Sequence, residues 1–554
     1  MTMDNHAACY AAFQSKDSRF DGHFFVGVTS TGIYCRPVCR ARLPRPENCT
    51  FFKTAAEAER AGFRPCLLCR PELAPGCAPV VPATRLQTRS AAPQTGTSRA
   101  PMVPAARLQT RSAVPQTGTS RAPMIPATRL QTRSAAPETA PGCAPVDASR
   151  RLAVLAAKRL EEHCGSIESL EELAASLGCT ARHLRRVFRE EYRVSPVQYL
   201  QTCRLLLAKS LLTDTGLSVL EVAMASGFGS LRRFNDLFRA RYHLSPTSLR
   251  RQTGQAVRPE EQNISLMLGY RPPYDWERLL AFLAPRAIPG VEIVRDSAYY
   301  RTVRLVRRDG TNVCGWIRAE NVPAQNALRV TVSTPLLAVL PQVLARVREL
   351  FDLNCDPNRI NETLQAMETL KPGLCVPGVR VPGCFDPFEM AVRTILGQQI
   401  TVKGATTLAG RLARELGTPI RTEVEGLTHV FPTARDICGL EEPVSGRLGA
   451  LGIIAARANT ISALAGKMMD GSIRLSAGAD PEQTAAQLME LPGIGAWTAG
   501  YMAMRASGWT DAFLETDQGI KKALAPRKAG EIRELAERWR PWRSYAMMNL
   551  WNSL

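Results

Sequence analysis

Leu491-Pro492-Gly493-Ile494-Gly495-Ala496-Trp497-Thr498-Ala499-Gly500-Tyr501 decides the reading of the C-terminal half of this chain. Glycines at both ends of a hairpin let backbone amides approach a phosphate closely, because no β-carbon stands in the way. A Gly-x-Gly alone is also an ordinary helix–helix turn, so its surroundings carry the argument. Downstream stands Asp517, in Phe513-Leu514-Glu515-Thr516-Asp517, where a carboxylate can face a nucleotide bound to the hairpin. Upstream, Asp386 through Leu396 has helical apolar spacing, and helices are expected to dominate from Leu336 onward. Before that, Ile264–Leu268, Tyr300–Leu305 and Leu328–Val332 read as strands of a small α+β subdomain.

The hairpin, Asp517, Gly397-Gln398-Gln399 and the run Glu537-Arg538-Trp539-Arg540-Pro541-Trp542-Arg543-Ser544-Tyr545-Ala546 together resemble the helix-hairpin-helix DNA glycosylases, and more closely the AlkA-type 3-methyladenine glycosylases. The resemblance spans roughly residues 264–554. It implies that Asp517 stabilises positive charge as an N-glycosidic bond breaks, that Trp497, Tyr501 and Trp551 line the base pocket, and that Gly493, Gly495 and Gln399 contact DNA. Gln399 is the side chain expected to fill the gap left by a flipped base. N-alkylated purines are already cationic and need little acid catalysis to leave, so one carboxylate suffices, and the resemblance implies no metal or nucleotide cofactor. Members that also cut the strand use a lysine where this chain has Trp497, so base excision without strand cleavage is expected. The implied enzyme class is DNA-3-methyladenine glycosylase II.

Between Arg151 and Gln252 two similar helical segments each carry a glycine turn and a basic second helix. The first runs from Ser169 through Gly178 to Arg182, Arg185 and Arg186; the second uses Ser218 and Glu221 as a capping box and continues to Ser230, Arg232 and Arg233. Either alone could be a plain helical hairpin, but the duplication points to two helix-turn-helix units. Glu221-Val222-Ala223, Gly227-Phe228, Phe234, Phe238 and Ser245-Pro246 resemble the DNA-binding domain of AraC-type regulators, and Phe188 and Ser195-Pro196 repeat part of that pattern. Arg182, Arg185, Arg186, Ser230, Arg232 and Arg233 are the expected contacts to bases and phosphates.

Arg-Leu-Gln-Thr-Arg-Ser occurs at Arg85, Arg107 and Arg129, a period of 22 residues. The repeats have too few large apolar side chains to stack as a solenoid, so a disordered linker is expected. Ala74–Val80 recurs as Ala140–Val146, which marks the segment as an expanded tandem duplication.

Near the start, Cys35 and Cys39 in Gly32-Ile33-Tyr34-Cys35-Arg36-Pro37-Val38-Cys39, and Cys66 and Cys69 in Arg64-Pro65-Cys66-Leu67-Leu68-Cys69, have the spacing of a four-thiolate zinc site. A structural staple is the plain reading. Arg36, Arg40, Arg42 and Arg45 suggest instead a reactive thiolate beside an anion held by arginines. The run from Phe24 to Pro71 closely resembles the N-terminal domain of Ada adaptive-response proteins. This implies that Cys35 is both ligand and nucleophile, taking methyl from a DNA methylphosphotriester in a single turnover, while Cys39, Cys66 and Cys69 are ligands only. One Zn2+ is the implied cofactor. No Pro-Cys-His-Arg tetrapeptide occurs, so direct repair of O6-methylguanine is not expected.

The predicted fold is multi-domain α+β: a small zinc-bound α+β domain (1–76), a linker with three repeats (77–146), an all-α double helix-turn-helix domain (147–252), an α+β subdomain with an antiparallel sheet (262–375) and an all-α helix-hairpin-helix domain (376–554). Seventy basic against fifty acidic residues give a net charge of +20, which favours a polyanion such as double-stranded DNA, alkylated or promoter. No signal segment or long apolar run is seen, and cysteines outside the quartet lie singly. A monomeric, bacterial, cytoplasmic, nucleoid-associated protein without membrane contact is expected. The competing readings are a regulator whose glycosylase-like half is an inactive binding module, and a structural zinc-ribbon DNA binder.

Overall fold

The computed structural model describes residues 6–76, 148–166, 169–254, 263–441, 443–476 and 478–554; the repeat linker expected at 77–146 lies outside the described residues. Its N-terminal sheet has the order β3-β1-β2-β4, with β1 Phe25–Val28, β2 Ile33–Cys35, β3 Cys49–Phe52 and β4 Arg64–Pro65. Gly32, at φ +64°, closes the β1–β2 turn in the left-handed region that glycine adopts without strain. β2 pairs antiparallel with β1 and parallel with β4, which brings the first thiol pair beside the second. Between Cys39 and Cys66 stand β3 and the helix Ala55–Arg60, the helix capped by Thr54, whose hydroxyl accepts from Glu57 N.

Seven helices follow in the middle region, from Ala148–Glu162 to Pro246–Thr253. The two helix-turn-helix pairs are Leu170–Ser176 with Ala181–Tyr192, and Val219–Ala225 with Leu231–Tyr242. They are built alike. Each second helix ends on a left-handed residue, Arg193 (φ 60°) or His243 (φ 54°), and the next begins with a serine cap and proline at its first position. The Ser218–Glu221 capping box is formed. A linking helix of 19 residues, Pro196–Asp214, joins the two pairs.

The next region is a five-stranded antiparallel sheet in the order β5-β9-β8-β7-β6, with β5 Asn263–Gly269, β6 Glu292–Arg295, β7 Ala298–Val306, β8 Asn312–Val322 and β9 Ala327–Ser333. β5 alternates as a half-buried strand should, with Ile264, Leu266 and Leu268 buried. Helices dominate from the 3-10 helix Thr334–Val339, which contains the expected start at Leu336, and among the described residues only the short strands Thr418–Pro419 and His429–Val430 interrupt them.

Apolar packing ignores the borders between these regions. One continuous buried cluster runs from Leu205, Leu211 and Leu212 of the linking helix through Phe228, Phe234 and Phe238 to Ile264, Leu266, Val330 and Val332 of the sheet. Full burial of each such side chain is worth about 1.5–3 kcal/mol. The linking helix also carries the zinc domain: Lys209 meets Glu72, Arg70 pairs bidentately with Asp214, and Thr202 donates to Glu59. On the sheet side, Arg271 donates to the Gly76 carbonyl at 2.8 Å, and His23 lies 3.2 Å from Asp356. No helix among the described residues is long and apolar enough to cross a membrane.

Candidate active site, zinc centre and DNA-binding helices

The hairpin turn separates helix Pro481–Met489 from helix Ala496–Ala506. Gly493 has φ +83°, and a β-carbon there would lie 2.6 Å from Thr460 Oγ1, which itself sits 2.8 Å from the Pro492 carbonyl. Gly495 has an ordinary φ of −91°, and nothing lies within 4 Å of where its β-carbon would be. Its lack of a side chain therefore relieves no crowding inside the protein.

Trp497, Tyr501 and Arg505 stand four residues apart on helix Ala496–Ala506 and share one face. The Trp497 and Tyr501 rings are parallel within 9°, centroids 5.2 Å apart, and Trp551 from the last helix tilts against Tyr501 at 6.4 Å. All three are partly exposed, and so is Asp517 beside them. Asp517 caps helix Gln518–Ala523, and three donors converge on its carboxylate. Oδ1 accepts from Ile520 N at 3.0 Å and from Trp551 Nε1 at 2.9 Å; Oδ2 accepts from Trp497 Nε1 at 3.1 Å. Sequence reasoning gathers these four residues into one site, and the structure brings them together.

Gln399 is exposed and carries φ +55°, which is uncommon for a residue with a β-carbon. The neighbouring Gln398 holds that loop on the hairpin, its Nε2 donating to the Gly493 carbonyl at 2.8 Å and lying 3.2 Å from Thr498 Oγ1. Arg457 donates to the Gln398 carbonyl.

Three residues absent from the sequence-level site complete its rear. Arg505 is buried and donates to Tyr501 Oη at 2.8 Å, and Phe282 and Arg286 come from the α+β subdomain, with the Arg286 guanidinium 3.9 Å from the Phe282 ring centre. Burial works to raise the Tyr501 phenol, but the charges of Arg505 and Arg286 more than offset it and hold the group below its usual range. The helical spacing from Trp497 marks Arg505 in the sequence; nothing local marks the other two.

In the zinc domain the Sγ atoms of Cys35, Cys39, Cys66 and Cys69 all lie within 4.8 Å of one another. Tetrahedral zinc with Zn–S near 2.3 Å sets its sulfurs about 3.8 Å apart, so the quartet fits one Zn2+ with four thiolate ligands. Backbone bonds fix the cage: Cys66 N donates to the Tyr34 carbonyl at 2.9 Å, and Cys39 N to the Arg36 carbonyl at 3.1 Å.

The expected role of Arg36 in holding an anion is corrected. Its guanidinium is buried in a two-pronged pair with Asp21 and donates to the Cys69 carbonyl at 3.1 Å, while its backbone N donates to Cys69 Sγ at 3.3 Å. Arg36 braces the second thiol pair. Arg40, Arg42 and Arg45 are exposed.

On the helix-turn-helix pairs, Arg182, Arg185, Arg186, Ser230, Arg232 and Arg233 are all exposed. Arg185 pairs with Glu171 at 3.0 Å and Arg186 with Glu190 at 3.1 Å, while the Ser230 hydroxyl caps its helix by accepting from Arg233 N at 3.3 Å. Ser230 thus has a capping role that the sequence reading omits.

Over its whole length the chain is 34% identical to the probable bifunctional transcriptional activator/DNA repair enzyme AlkA of Mycobacterium tuberculosis H37Rv, the alignment covering 100% of this chain and 97% of that protein. The chain belongs to this AlkA family of activator/repair enzymes. Family profiles agree on its parts: "Metal binding domain of Ada" matches residues 8–72, "Helix-turn-helix domain" 173–252, and "AlkA N-terminal domain" 265–386. This AlkA-family chain is also 37% identical to DNA-3-methyladenine glycosylase 2 of Escherichia coli K12, over 51% of its own length and 95% of that enzyme. It is 52% identical over 60 residues to the bifunctional transcriptional activator/DNA repair enzyme Ada of the same organism, 11% of this chain and 17% of that protein.

Proposed function

We propose that this AlkA-family protein is an alkylation-damage response enzyme that joins base excision, methyl acceptance and promoter binding in one chain, with DNA as the common partner. Residues 262–554 act as a monofunctional glycosylase on alkylated purines. The observation that carries this reading is the convergence of the Trp497 and Trp551 indole N–H groups on the Asp517 carboxylate, beside the hairpin. Those donors fix the position of the carboxylate beside the aromatic rings. A fixed negative charge at an aromatic-walled opening suits the oxocarbenium that develops as an N-glycosidic bond breaks. The aromatic faces suit an electron-poor base. Trp497 offers no amine for a Schiff base, so the strand is left intact. At Gly495 the open space beside the backbone supports close approach of a phosphate, and Gln399 is the side chain assigned to the vacated stack.

Residues 1–76 hold Zn2+ through Cys35, Cys39, Cys66 and Cys69, which supplies a deprotonated, nucleophilic thiolate. Cys35 is the acceptor. Cys69 is a poorer nucleophile because its sulfur accepts the Arg36 N–H. Residues 147–252 bind promoter DNA through the exposed arginines of both second helices. The chain works as a monomer in the bacterial cytoplasm, close to the nucleoid.

The test is release of 3-methyladenine and 7-methylguanine from alkylated duplex DNA by wild type and Asp517→Asn, with mass spectrometry of Cys35 after exposure to methylphosphotriester DNA. Loss of about 10²–10³ in rate on the substitution is expected. Equal release by both proteins would remove Asp517 from the mechanism, and no release by wild type would leave a regulator with a glycosylase-like binding module.

A further inference from the structure

Behind the base pocket the protein buries positive charge with no carboxylate to cancel it. Arg505 is 7% exposed, and its acceptors are all neutral: Tyr501 Oη at 2.8 Å, the Gly383 carbonyl at 2.9 Å and the Pro382 carbonyl. Arg286 donates to the Phe282 carbonyl at 2.9 Å. The two guanidinium carbons lie 5.3 Å and 3.9 Å from the centre of the same ring, Phe282. Two further arginines are neutralised instead, whereas the buried Arg380, like Arg505, donates only to neutral oxygens, in its case carbonyls. Arg301 and Arg393 are each paired with both Glu292 and Glu389. A cation held away from water without a carboxylate partner is costly, so the buried Arg505, with the half-buried Arg286 beside it, invites a use at the pocket.

We propose that Arg505 is a positioning and specificity-determining residue of the pocket: it fixes Tyr501 against Trp497 and, with Arg286, places positive charge behind the base. This rests on the glycosylase reading above. When the C1′–N9 bond of a neutral purine breaks, the electron pair stays on the base, and the water that adds its oxygen to C1′ returns a proton to that base. Negative charge gathers on the leaving group in between, and two fixed guanidinium groups stabilise it. A cationic alkylpurine leaves as a neutral base and gains nothing from them; its bound state is opposed by them. Arg505 and Arg286 therefore tilt the pocket toward neutral lesions, against the bias set by the aromatic walls and Asp517. Geometry adds a second effect, because the planar fork of Arg505 reaches a hydroxyl and two carbonyls at once, which an ammonium cannot copy.

The experiment compares single-turnover release of 7-methylguanine, cationic in the nucleoside, with release of hypoxanthine, neutral in the nucleoside. Wild type, Arg505→Met, Arg505→Lys and Arg286→Met are each checked for native circular dichroism. Arg505→Met is expected to lower hypoxanthine release relative to 7-methylguanine by about tenfold, the order of effect of one charge in a partly desolvated site. Arg505→Lys keeps the ratio within about twofold of wild type while both rates fall, since charge is retained and the fork is lost. Should Arg505→Met fail to fold, Arg286→Met, which leaves the Arg505–Tyr501 bond in place, must shift the ratio in the same direction. A folded Arg505→Met that lowers both releases equally overturns the inference, as does wild type that releases 7-methylguanine but no hypoxanthine. Wild type that releases neither base overturns the glycosylase reading itself.

Discussion

The Lys209 ammonium lies 2.5 Å from the Glu72 carboxylate, with side chains 1% and 2% exposed, so an ion pair between the linking helix and the zinc domain is sealed from water. Glu72 also takes Arg70 at 2.9 Å, and Arg70 in turn holds Asp214. Burial alone would raise the Glu72 carboxyl, yet Lys209 and Arg70 hold it below its usual range.

Lys209→Met strips one cation from this cluster and leaves excess negative charge under the zinc loop. Breaking such a pair costs about 3–5 kcal/mol. Denaturant unfolding of the full chain is expected to show that loss, and replacing Glu72 by leucine in the same protein should recover much of it. Unchanged stability of Lys209→Met would mean the pair does not form.

Glu59 makes the same interface sensitive to pH. Its carboxyl is fully buried, accepting from Thr202 at 2.8 Å and Tyr34 at 3.1 Å; desolvation outweighs these bonds and pushes it up to about 7. A carboxyl raised in the folded state contributes stability that is full below its ordinary value near 4.5 and is lost as the pH climbs through about 7. The loss amounts to about 3 kcal/mol at most. Glu59→Gln keeps one acceptor oxygen and turns the other into an amide that can donate to the second hydroxyl, without the titration, so thermal melts of this variant should lack the decline that wild type shows between pH 5 and pH 7.5.

At Gly519 a β-carbon would stand 3.0 Å from both Asp517 Oδ1 and Trp551 Cδ1. Gly519→Ala must push the Asp517 carboxylate or the Trp551 indole aside. A shift of some tenths of an ångström is expected to lower base release by about tenfold, with little change in melting temperature. Wild-type rates in this variant would show that the pocket tolerates the displacement.

Gln398 offers a cleaner test of loop placement than Gln399, since its bonds to Gly493 and Thr498 are internal. Gln398→Ala frees the loop to leave its left-handed conformation. Affinity for duplex DNA holding an abasic site, read by fluorescence anisotropy, is expected to weaken by about tenfold, the value of one or two hydrogen bonds. Equal affinity would assign the loop no part in holding the opened duplex.

Short-range patterns made much of this legible. Two thiol pairs, a glycine hairpin and a capping box each state their geometry within about ten residues, and Asp517 follows the hairpin closely enough to be linked to it. Arg36 shows where local reading stops. Its neighbours suggest an anion site, but its partner is Asp21, placed opposite by the fold of the first sheet. Phe282 and Arg286 are hidden for the same reason: they reach Arg505 and Tyr501 only because the α+β subdomain packs on the helical body. Gly495 is the opposite case, a glycine whose reason the fold does not supply and whose sequence context does.

The apolar cluster shared by the linking helix, the second helix-turn-helix pair and β5–β9 has a consequence for how this gene can be cut. The Escherichia coli glycosylase matches the C-terminal half over 95% of its own length, so that half reads in sequence as a movable cassette. In this protein it is not one. Removing the residues up to 254 would take Leu205, Leu211, Leu212, Phe228, Phe234 and Phe238 out of that shared cluster and expose the apolar surface they cover, which invites aggregation. A stand-alone version of this glycosylase would need that face rewritten with polar residues before it could be studied by itself.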